Sequence, residues 1–222
     1  MKQRMTVGLA VAAMLSTTGV YANNGHFMVD HAVITDPGQC QLETWFSRDD
    51  TAGVNSLAVV PACGTAAGWQ FALPLDYSIS GSEFNGVGLE AKTILGSGRN
   101  FGAIAMTLGT HYDRRTERLE RNYVNIPWSA EVGNNMTWHL NVGMAHVRAN
   151  SNFYTNWGGA STFHYTDTLD LVLEAAAFGS DSPSFAGGAR FHLQGGWEVD
   201  FSLGHDTEHD RDFANIGFNF RF

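Results

Sequence analysis

The residues best suited to chemistry are the imidazoles and carboxylates near the carboxyl end of the chain. One short stretch holds His205, Asp206, Glu208, His209, Asp210 and Asp212. Such donors could bind a divalent cation, but a solvated acidic loop has the same composition. A second group, His26, Asp30, His31 and Asp36, is open to the same two interpretations. The solvated loop is the simpler interpretation, so we predict no metal and no other cofactor.

Another set of charged residues lies in segments where apolar and polar side chains alternate. One segment runs from Trp69 to Ile79, and others run from Met136 to Met144 and from Phe185 to Leu193. A period of two is the pattern of a β-strand with one apolar and one polar face. Because charges occur on one face only, the strands place the polar chemistry on a common side.

The chain ends on a strand of the same kind, in which Phe218, Phe220 and Phe222 alternate with Asn219 and Arg221. A terminal edge strand with an aromatic face invites aggregation in water. In a membrane barrel, lipid covers that face and the first strand pairs the edge. The three phenylalanines resemble the membrane-insertion signature that closes bacterial outer-membrane β-barrels. The alternative is the last strand of a soluble β-sandwich.

The number of strands follows from parity. Clear alternation marks about eleven segments, whereas a single-chain barrel with both ends in the periplasm needs an even number. A weaker segment from Asn152 to Tyr165 supplies one more. We therefore predict an all-β, transmembrane, antiparallel up-and-down barrel of about twelve strands over residues 39–222, with its longer polar connections outside. Pro74 and Pro127 should mark bulges.

The first residues predict export. Basic residues precede an apolar run from Val7 to Leu15, and Val20-Tyr21-Ala22 comes directly before a polar stretch. This is the organisation of a cleaved signal peptide, residues 1–22, and the run is too short to span a bilayer. Residues 23–38 then form an N-terminal segment that either crosses the periplasmic mouth or enters the lumen as a plug. The predicted location is the outer membrane of a Gram-negative bacterium.

The composition of the chain limits which classes of partner it can bind. The formal net charge of −9 argues against nucleic-acid binding, which requires a basic surface. The 15 phenylalanines and 25 glycines favour strands and interfacial aromatic girdles. We expect contact with outer-membrane lipid and with the barrel-assembly machinery, a small solute as the transported partner, and a monomer.

The two cysteines flank the first predicted hairpin. If its turn lies at residues 49–53, the pairing sets Cys40 directly opposite Cys63. An oxidising periplasm would then allow an intrachain disulfide at the base of the hairpin. Two free buried thiols are the alternative.

The polar face of the strands defines the predicted lumen. Its ionisable residues are Glu43, Asp76, Glu90, Lys92, Glu131, His139, Asp170, Glu174, Arg190, His192, Glu198 and Asp200, and Gln70, Asn141, Asn219 and Arg221 share the face. Carboxylates exceed cations, so two outcomes are open: a narrow pore that prefers cations, or an interior closed by ion pairs. Twelve strands lie between small filled barrels and wide aqueous ones.

Two sets of residues carry a family resemblance: residues 33–38 before a strand with Glu43, and Glu174, Gly187-Gly188 and Arg221-Phe222 near the end. Through them both ends of the chain, about a third of its mature length, resemble an outer-membrane family named for meta-cleavage phenol degradation. Where we expect a doubled acidic residue after Thr35, the chain has Asp36-Pro37. The resemblance implies a barrel that moves small, including aromatic, compounds.

Catalysis is not expected. Barrel hydrolases of the outer membrane share a recognisable His-x-Ser pairing. In this chain the second residue after His111, His146, His164 and His205 is not a serine. The leading prediction is a passive channel or uptake protein for small solutes, with aromatic or hydrophobic compounds among the candidates. The competing prediction is a non-conducting structural or adhesive barrel that presents extracellular loops.

Overall fold

The chain forms an antiparallel sheet that closes on itself. The computed structural model describes residues 27–49 and 54–222, so the predicted signal peptide, residues 1–22, lies outside the described residues. Within these residues no helix has the length and apolarity needed to cross a membrane.

In the described part of the chain, thirteen strand segments follow one another as a meander. They are β1 (Cys40–Asp49), β2 (Val54–Gly64), β3 (Trp69–Ala72), β4 (Leu75–Ser78), β5 (Glu83–Gly98), β6 (Gly102–Asp113), β7 (Arg118–Glu131), β8 (Met136–Val147), β9 (Asn152–Thr166), β10 (Leu169–Phe178), β11 (Ser184–His192), β12 (Trp197–Asp206) and β13 (Arg211–Arg221). A short 3-10 turn, Gln194–Gly196, connects β11 to β12.

Two of these segments occupy one position in the barrel. Both β3 and β4 pair with β2 on one side and β5 on the other, and the chain between them is Leu73-Pro74. Proline has no N–H to donate, so the ladder breaks there. The described residues therefore form a closed barrel of twelve strands, as the parity argument predicted.

Neither proline shifts the register. Across Pro74 the pairing of Ala72 with Glu90 continues as Leu75 with Val87, and the register shift comes later, between Asp76 and Tyr77, so the bulge predicted at Pro74 is wrong. Pro127 lies opposite Asn141 in an unbroken β7–β8 register. Pairing with β6 lapses between Ile104↔Trp128 and Thr107↔Asn125, but the register is the same on both sides of the gap. The bulge predicted at Pro127 is therefore wrong, because the strand loses ladder bonds without gaining a residue.

The last strand closes the barrel against the first. β13 pairs with β1 along its length, with Leu42 opposite Phe220. The N–H of Cys40 donates to the carbonyl oxygen of Phe222 at 2.8 Å, and the N–H of Phe222 donates to that of Cys40 at 2.9 Å. This hydrogen bonding leaves neither terminal strand with a free edge.

Polarity across the sheet is inverted relative to a soluble protein. Large apolar side chains are exposed on the outer face, including Leu173 at 69% and Val142 at 60%. Charged side chains are buried inside, including Asp200 at 0% and Arg190 at 4%. Phe218 and Phe222 of the terminal signature also lie exposed on the outer face. This is the arrangement of a barrel surrounded by lipid.

The cysteines form the disulfide that the first hairpin predicted. Cys40 and Cys63 are register partners in β1 and β2, their Cα atoms are 4.1 Å apart and their sulfurs are bonded. The bond lies at the end of the barrel that also holds Phe222, which we call the terminal end; the opposite end is the loop end.

Removing this disulfide should destabilise the barrel without opening it. A cross-link between residues 23 positions apart lowers the conformational entropy of the unfolded chain, which stabilises the folded barrel by about 2–4 kcal/mol. We expect the double variant Cys40→Ser/Cys63→Ser to show a lower urea midpoint by tryptophan fluorescence. Reduced wild-type protein should match it, and equal midpoints for oxidised and reduced protein would contradict the expectation.

Candidate functional site

Residues 27–38, which we call the inner segment, run from the terminal end into the barrel, with residues 36–38 exposed and Thr35 buried. The segment leaves β1 through a turn in which the N–H of Gln39 donates to the carbonyl of Asp36 at 3.0 Å, and Pro37 bridges to Gly64 at the terminal end. From there it runs into the lumen, where Phe27, Val29 and Ala32 are buried.

Wall side chains bind the main chain of the inner segment. Four of its N–H groups donate to them: Val29 to Glu174 Oε2 (3.1 Å), Asp30 to Asn141 Oδ1 (2.7 Å), Ala32 to Ser129 Oγ (2.8 Å) and Thr35 to Gln70 Oε1 (2.7 Å). Asn141 Nδ2 also donates to the carbonyl of Asp30 at 2.6 Å. Because these acceptors come from β3, β7, β8 and β10, the segment crosses the lumen from wall to wall.

Asp30 is the charged anchor of the segment. Its Oδ1 accepts from Lys92 Nζ at 2.7 Å, and its Oδ2 accepts from Thr107 Oγ1 at 3.2 Å. Lys92 Nζ donates in addition to the carbonyl of His31 at 2.5 Å. The Lys92 side chain is only 9% exposed, so its charge depends on this carboxylate for compensation.

Two imidazoles stack beside the anchor. The rings of His31 and His139 are nearly parallel, with centroids 3.7 Å apart. His139 Nδ1 lies 2.7 Å from Ser129 Oγ, which also accepts from Ala32. If the Ser129 hydroxyl donates its one proton to the ring, His139 Nδ1 is an acceptor. An additional proton there would lose that bond and set a cation against His31.

Thr35, in the part of the segment nearest the terminal end, belongs to a network of amide and hydroxyl groups. Thr35 Oγ1 lies 2.7 Å from Gln41 Oε1 and 2.8 Å from Gln70 Oε1. Gln41 Nε2 donates in turn to Glu43 Oε1 at 2.9 Å. The predicted lumen residue Glu43 therefore supports the segment through Gln41.

Phe27 covers a buried ion pair. The Arg190 guanidinium carbon lies 5.3 Å from the Phe27 ring centroid, within reach of a cation–π contact. Arg190 donates to both carboxylate oxygens of Asp200 at 2.7 Å, and Asn219 Nδ2 donates to the same carboxylate at 2.9 Å. This two-point pair links β11 to β12 beneath the segment.

A relay of imidazoles and carboxylates lines the terminal end. Asp170 accepts from His164 Nδ1 and His192 Nε2, both at 2.8 Å. His192 Nδ1 lies 3.2 Å from Glu198 Oε1. Both ring nitrogens of His192 therefore face carboxylates, an arrangement that suits the doubly protonated ring.

The inner segment lies between two cavities. A cavity of about 910 Å³ at the terminal end is lined by the relay, by Glu131 and by Phe27 and His31 of the segment. A second cavity of about 410 Å³ faces the loop end and is lined by Met28 of the segment with Arg121, Tyr123, Asn156 and Glu208 of the wall. The segment therefore forms part of the lining of both cavities.

The predicted lumen residues are distributed unevenly along this path. Glu174, Lys92 and His139 contact the inner segment directly, and Glu43 and Arg190 support it; Asp170, His192, Glu198 and Glu131 line the terminal cavity. Glu90 accepts from the Tyr123 hydroxyl. Asp76, 42% exposed, contacts His111 at 3.0 Å.

Sequence reasoning missed Ser129, Thr107 and Thr35 as site residues. The alternation placed Ser129 on the polar face, but its partner Ala32 is 97 positions away. Hydroxyl side chains carry no charge, and no local sequence pattern indicates a contact between residues so far apart.

The acidic stretch near the carboxyl end forms separate pairs. His205 Nδ1 contacts Asp212 at 2.8 Å, whereas His209 Nδ1 and Arg211 both contact Asp206, at 2.9 and 3.0 Å. Over residues 27–49 and 54–222, no group of three or more His, Cys, Asp or Glu side chains is arranged to hold a metal ion.

A closed twelve-strand barrel with a lipid-facing exterior and a polar interior is the fold of outer-membrane porins, and solved structures agree. A KdgM porin in complex with disordered oligogalacturonate is 11% identical, with a TM-score of 0.67 over 82% of this chain and 99% of that one. The NanC porin is 10% identical, with a TM-score of 0.64 over 81% and 98%. The COG4313 outer membrane channel from Pseudomonas putida F1 is 9% identical, with a TM-score of 0.59 over 86% and 98%.

The chain belongs to the family described as uncharacterised conserved protein UCP029691, which it matches over residues 10–222. This is not the phenol-degradation family that the terminal motifs resemble, so family membership gives no support to an aromatic solute. No curated protein matches the chain.

Truncating Arg190 should destabilise the barrel. The variant Arg190→Gln leaves Asp200 buried without its cation, which costs about 3–5 kcal/mol when one partner of a buried pair is removed. The urea midpoint should fall accordingly. The double variant Arg190→Met/Asp200→Leu removes both charges and should recover most of the loss; no recovery would mean that the pair is not the cause.

Docking of the inner segment should weaken in acid. Burial lowers the pKa of the His31 imidazole well below its usual range, and the nearby His139, Arg190 and Lys92 lower it further. An undocked histidine has a pKa near 6.5, so the undocked state binds more protons. Docking is therefore fully stable above about pH 6.5 and loses about 1.4 kcal/mol per pH unit below it, until the docked ring itself protonates.

A cysteine at a buried position of the segment reports this change. In the variant Ala32→Cys, maleimide labelling of folded protein should be slow at pH 7.5. With a thiol reagent whose reactivity does not depend on pH, labelling of the introduced cysteine should be faster at pH 5 than at pH 7.5. Adding His31→Asn should flatten the dependence, and an unchanged slope in that variant would assign the effect to other groups.

Proposed function

We propose that this protein is a passive channel for small polar solutes in the outer membrane of a Gram-negative bacterium, and that the inner segment closes it. The observation that carries the proposal is the position of residues 27–35 between two cavities. The likeness to porins and to an outer-membrane channel supports the barrel as the conducting element.

The contacts that hold the segment are of a kind that can break and re-form. They are hydrogen bonds, one ion pair and ring contacts, and the acceptors are wall side chains that water can satisfy when the segment leaves. A permanent core would instead bury a continuous apolar surface. The segment therefore acts as a removable plug.

The wall favours neutral or cationic polar solutes. Its buried carboxylates outnumber its buried cations: Glu43, Asp170, Glu174, Glu198 and Asp200 against Lys92 and Arg190. Once Asp30 leaves with the segment, Lys92 is the one site in this list that gains attraction for an anion. Polar side chains throughout the lumen give little affinity for aromatic or hydrophobic compounds.

A non-conducting structural barrel is the second candidate. The bonds of the inner segment to β3, β7, β8 and β10 favour it, because they cross the space that a solute would use. Catalysis forms no part of either proposal.

Removing the plug should open the channel. Refolded protein with residues 27–35 deleted should show discrete current steps in planar bilayers, leaning towards cations in a salt gradient, where the full-length protein is mostly closed. Folding is checked by heat-modifiable gel mobility. Silence from the folded, inserted deletion variant would favour the structural barrel.

A milder change should act in the same direction. Asp30→Asn removes a charge-assisted bond to buried Lys92, and such bonds contribute about 1.5–3 kcal/mol, so the open fraction should rise about tenfold or more. The matched control is Asp36→Asn, which removes the same charge from an exposed position of the same segment. Equal currents from both variants would assign the effect to net charge alone.

A further inference from the structure

We propose that the vacated lumen is a binding site for a short extended peptide with an acidic side chain, and that the inner segment is the tethered form of this ligand. This inference rests on the proposed function, since a peptide reaches the site only when the segment undocks.

The first reason is that the wall recognises main chain. The oxygens of Glu174, Asn141, Ser129 and Gln70 accept N–H groups from four residues of the segment. Asn141 binds both the N–H and the carbonyl of Asp30, as a neighbouring strand would. Contacts of this kind do not depend on the side chains of the bound peptide, so other sequences can make them.

The second reason is that two adjacent positions have their own side-chain sites. Lys92 and Thr107 bind the Asp30 carboxylate at 2.7 and 3.2 Å. The flat face of His139 lies 3.7 Å from the His31 ring. Together they define a preference for an acidic residue followed by a planar one.

The third reason is the state of the wall once it is vacated. Lys92 and Asn141 are buried, and the Asp30 carboxylate is the acid paired with Lys92 among the ion pairs of the described residues. A solute that restores a carboxylate at Lys92 and N–H donors along β7, β8 and β10 recovers what the segment supplied. A peptide offers both at the spacing already present in the lumen.

Tethering sets the concentrations for the test. A segment joined by a short linker competes at an effective concentration on the order of 1 mM. A free peptide of similar affinity must exceed that level to displace it. The deletion variant lacking residues 27–35 removes the competitor and is therefore the protein to titrate.

The experiment is a calorimetric titration of the folded deletion variant in detergent with two blocked peptides: acetyl-Val-Asp-His-Ala-amide, taken from the chain, and acetyl-Leu-Glu-Phe-Ser-amide, unrelated to it except in its acidic and planar positions. We expect both to bind at about millimolar concentration or below. The analogues with Asn or Gln in place of the acid should bind at least tenfold more weakly.

A matched pair of wall variants locates the site. Lys92→Met in the deletion background should abolish the preference for the acidic peptide. Asp167→Asn, which changes the charge of an exposed turn residue at the terminal cavity, should leave it unchanged. If the deletion variant does not fold, full-length Asp30→Asn takes its place with the same peptides.

Three outcomes would overturn the proposal: no binding of either peptide, binding of the chain's own sequence alone, or equal binding of an oligogalacturonate of the same charge. The last would make the site one for acidic sugars. Current through the same variant is measured separately, because peptide binding without conduction would refute the channel and retain the site. Conduction without binding would do the reverse.

Discussion

The hydrogen bonding of β1 to β13 is the constraint on which the rest of the structure depends. While those strands are paired, every strand has two neighbours and the sheet has an inside. Closure converts a simple alternation of side chains into a division between lipid and lumen. It also brings Cys40 beside Phe222, so the disulfide, the chain end and the last residues of the inner segment meet at the terminal end.

Closure creates an electrostatic problem that the lumen must solve. Charges placed inside a narrow barrel lose much of their hydration, and an unpaired buried charge is costly. Within the wall, Arg190 pairs with Asp200, and His192 pairs with Asp170 and Glu198. Lys92 instead pairs with Asp30, a carboxylate of the inner segment that does not belong to the wall. The inner segment therefore completes the lumen as well as obstructing it.

In the proposed channel, this dual role would keep an obstructed barrel compatible with transport. A plug held by apolar packing would leave an exposed hydrophobic lining when it moved. Here the segment leaves polar groups that water or a polar solute can satisfy. Under that proposal, the free-energy difference between the docked and undocked states depends on a few bonds around Asp30 and His31, so a pH change or a single substitution would alter it.

Much of the architecture could be read from residue patterns. A period of two identifies a strand, and the even count required of a barrel recovered the weak segment that became β9. The spacing about the first turn predicted the Cys40–Cys63 bond. These inferences work because strand alternation and hairpin register are local properties, set by residues a few positions apart.

Residue patterns were therefore enough to predict the barrel, its closing signature and the polar face of each strand, whereas the occupant of the lumen follows from long-range contacts. The N-terminal segment was predicted either to cross the mouth or to enter the barrel, and nothing in its own residues distinguishes the two. Its contacts with Ser129, Asn141 and Glu174 join positions 97 to 145 residues apart. Such pairings exist only after closure has brought all the strands around one space, so no local pattern can encode them.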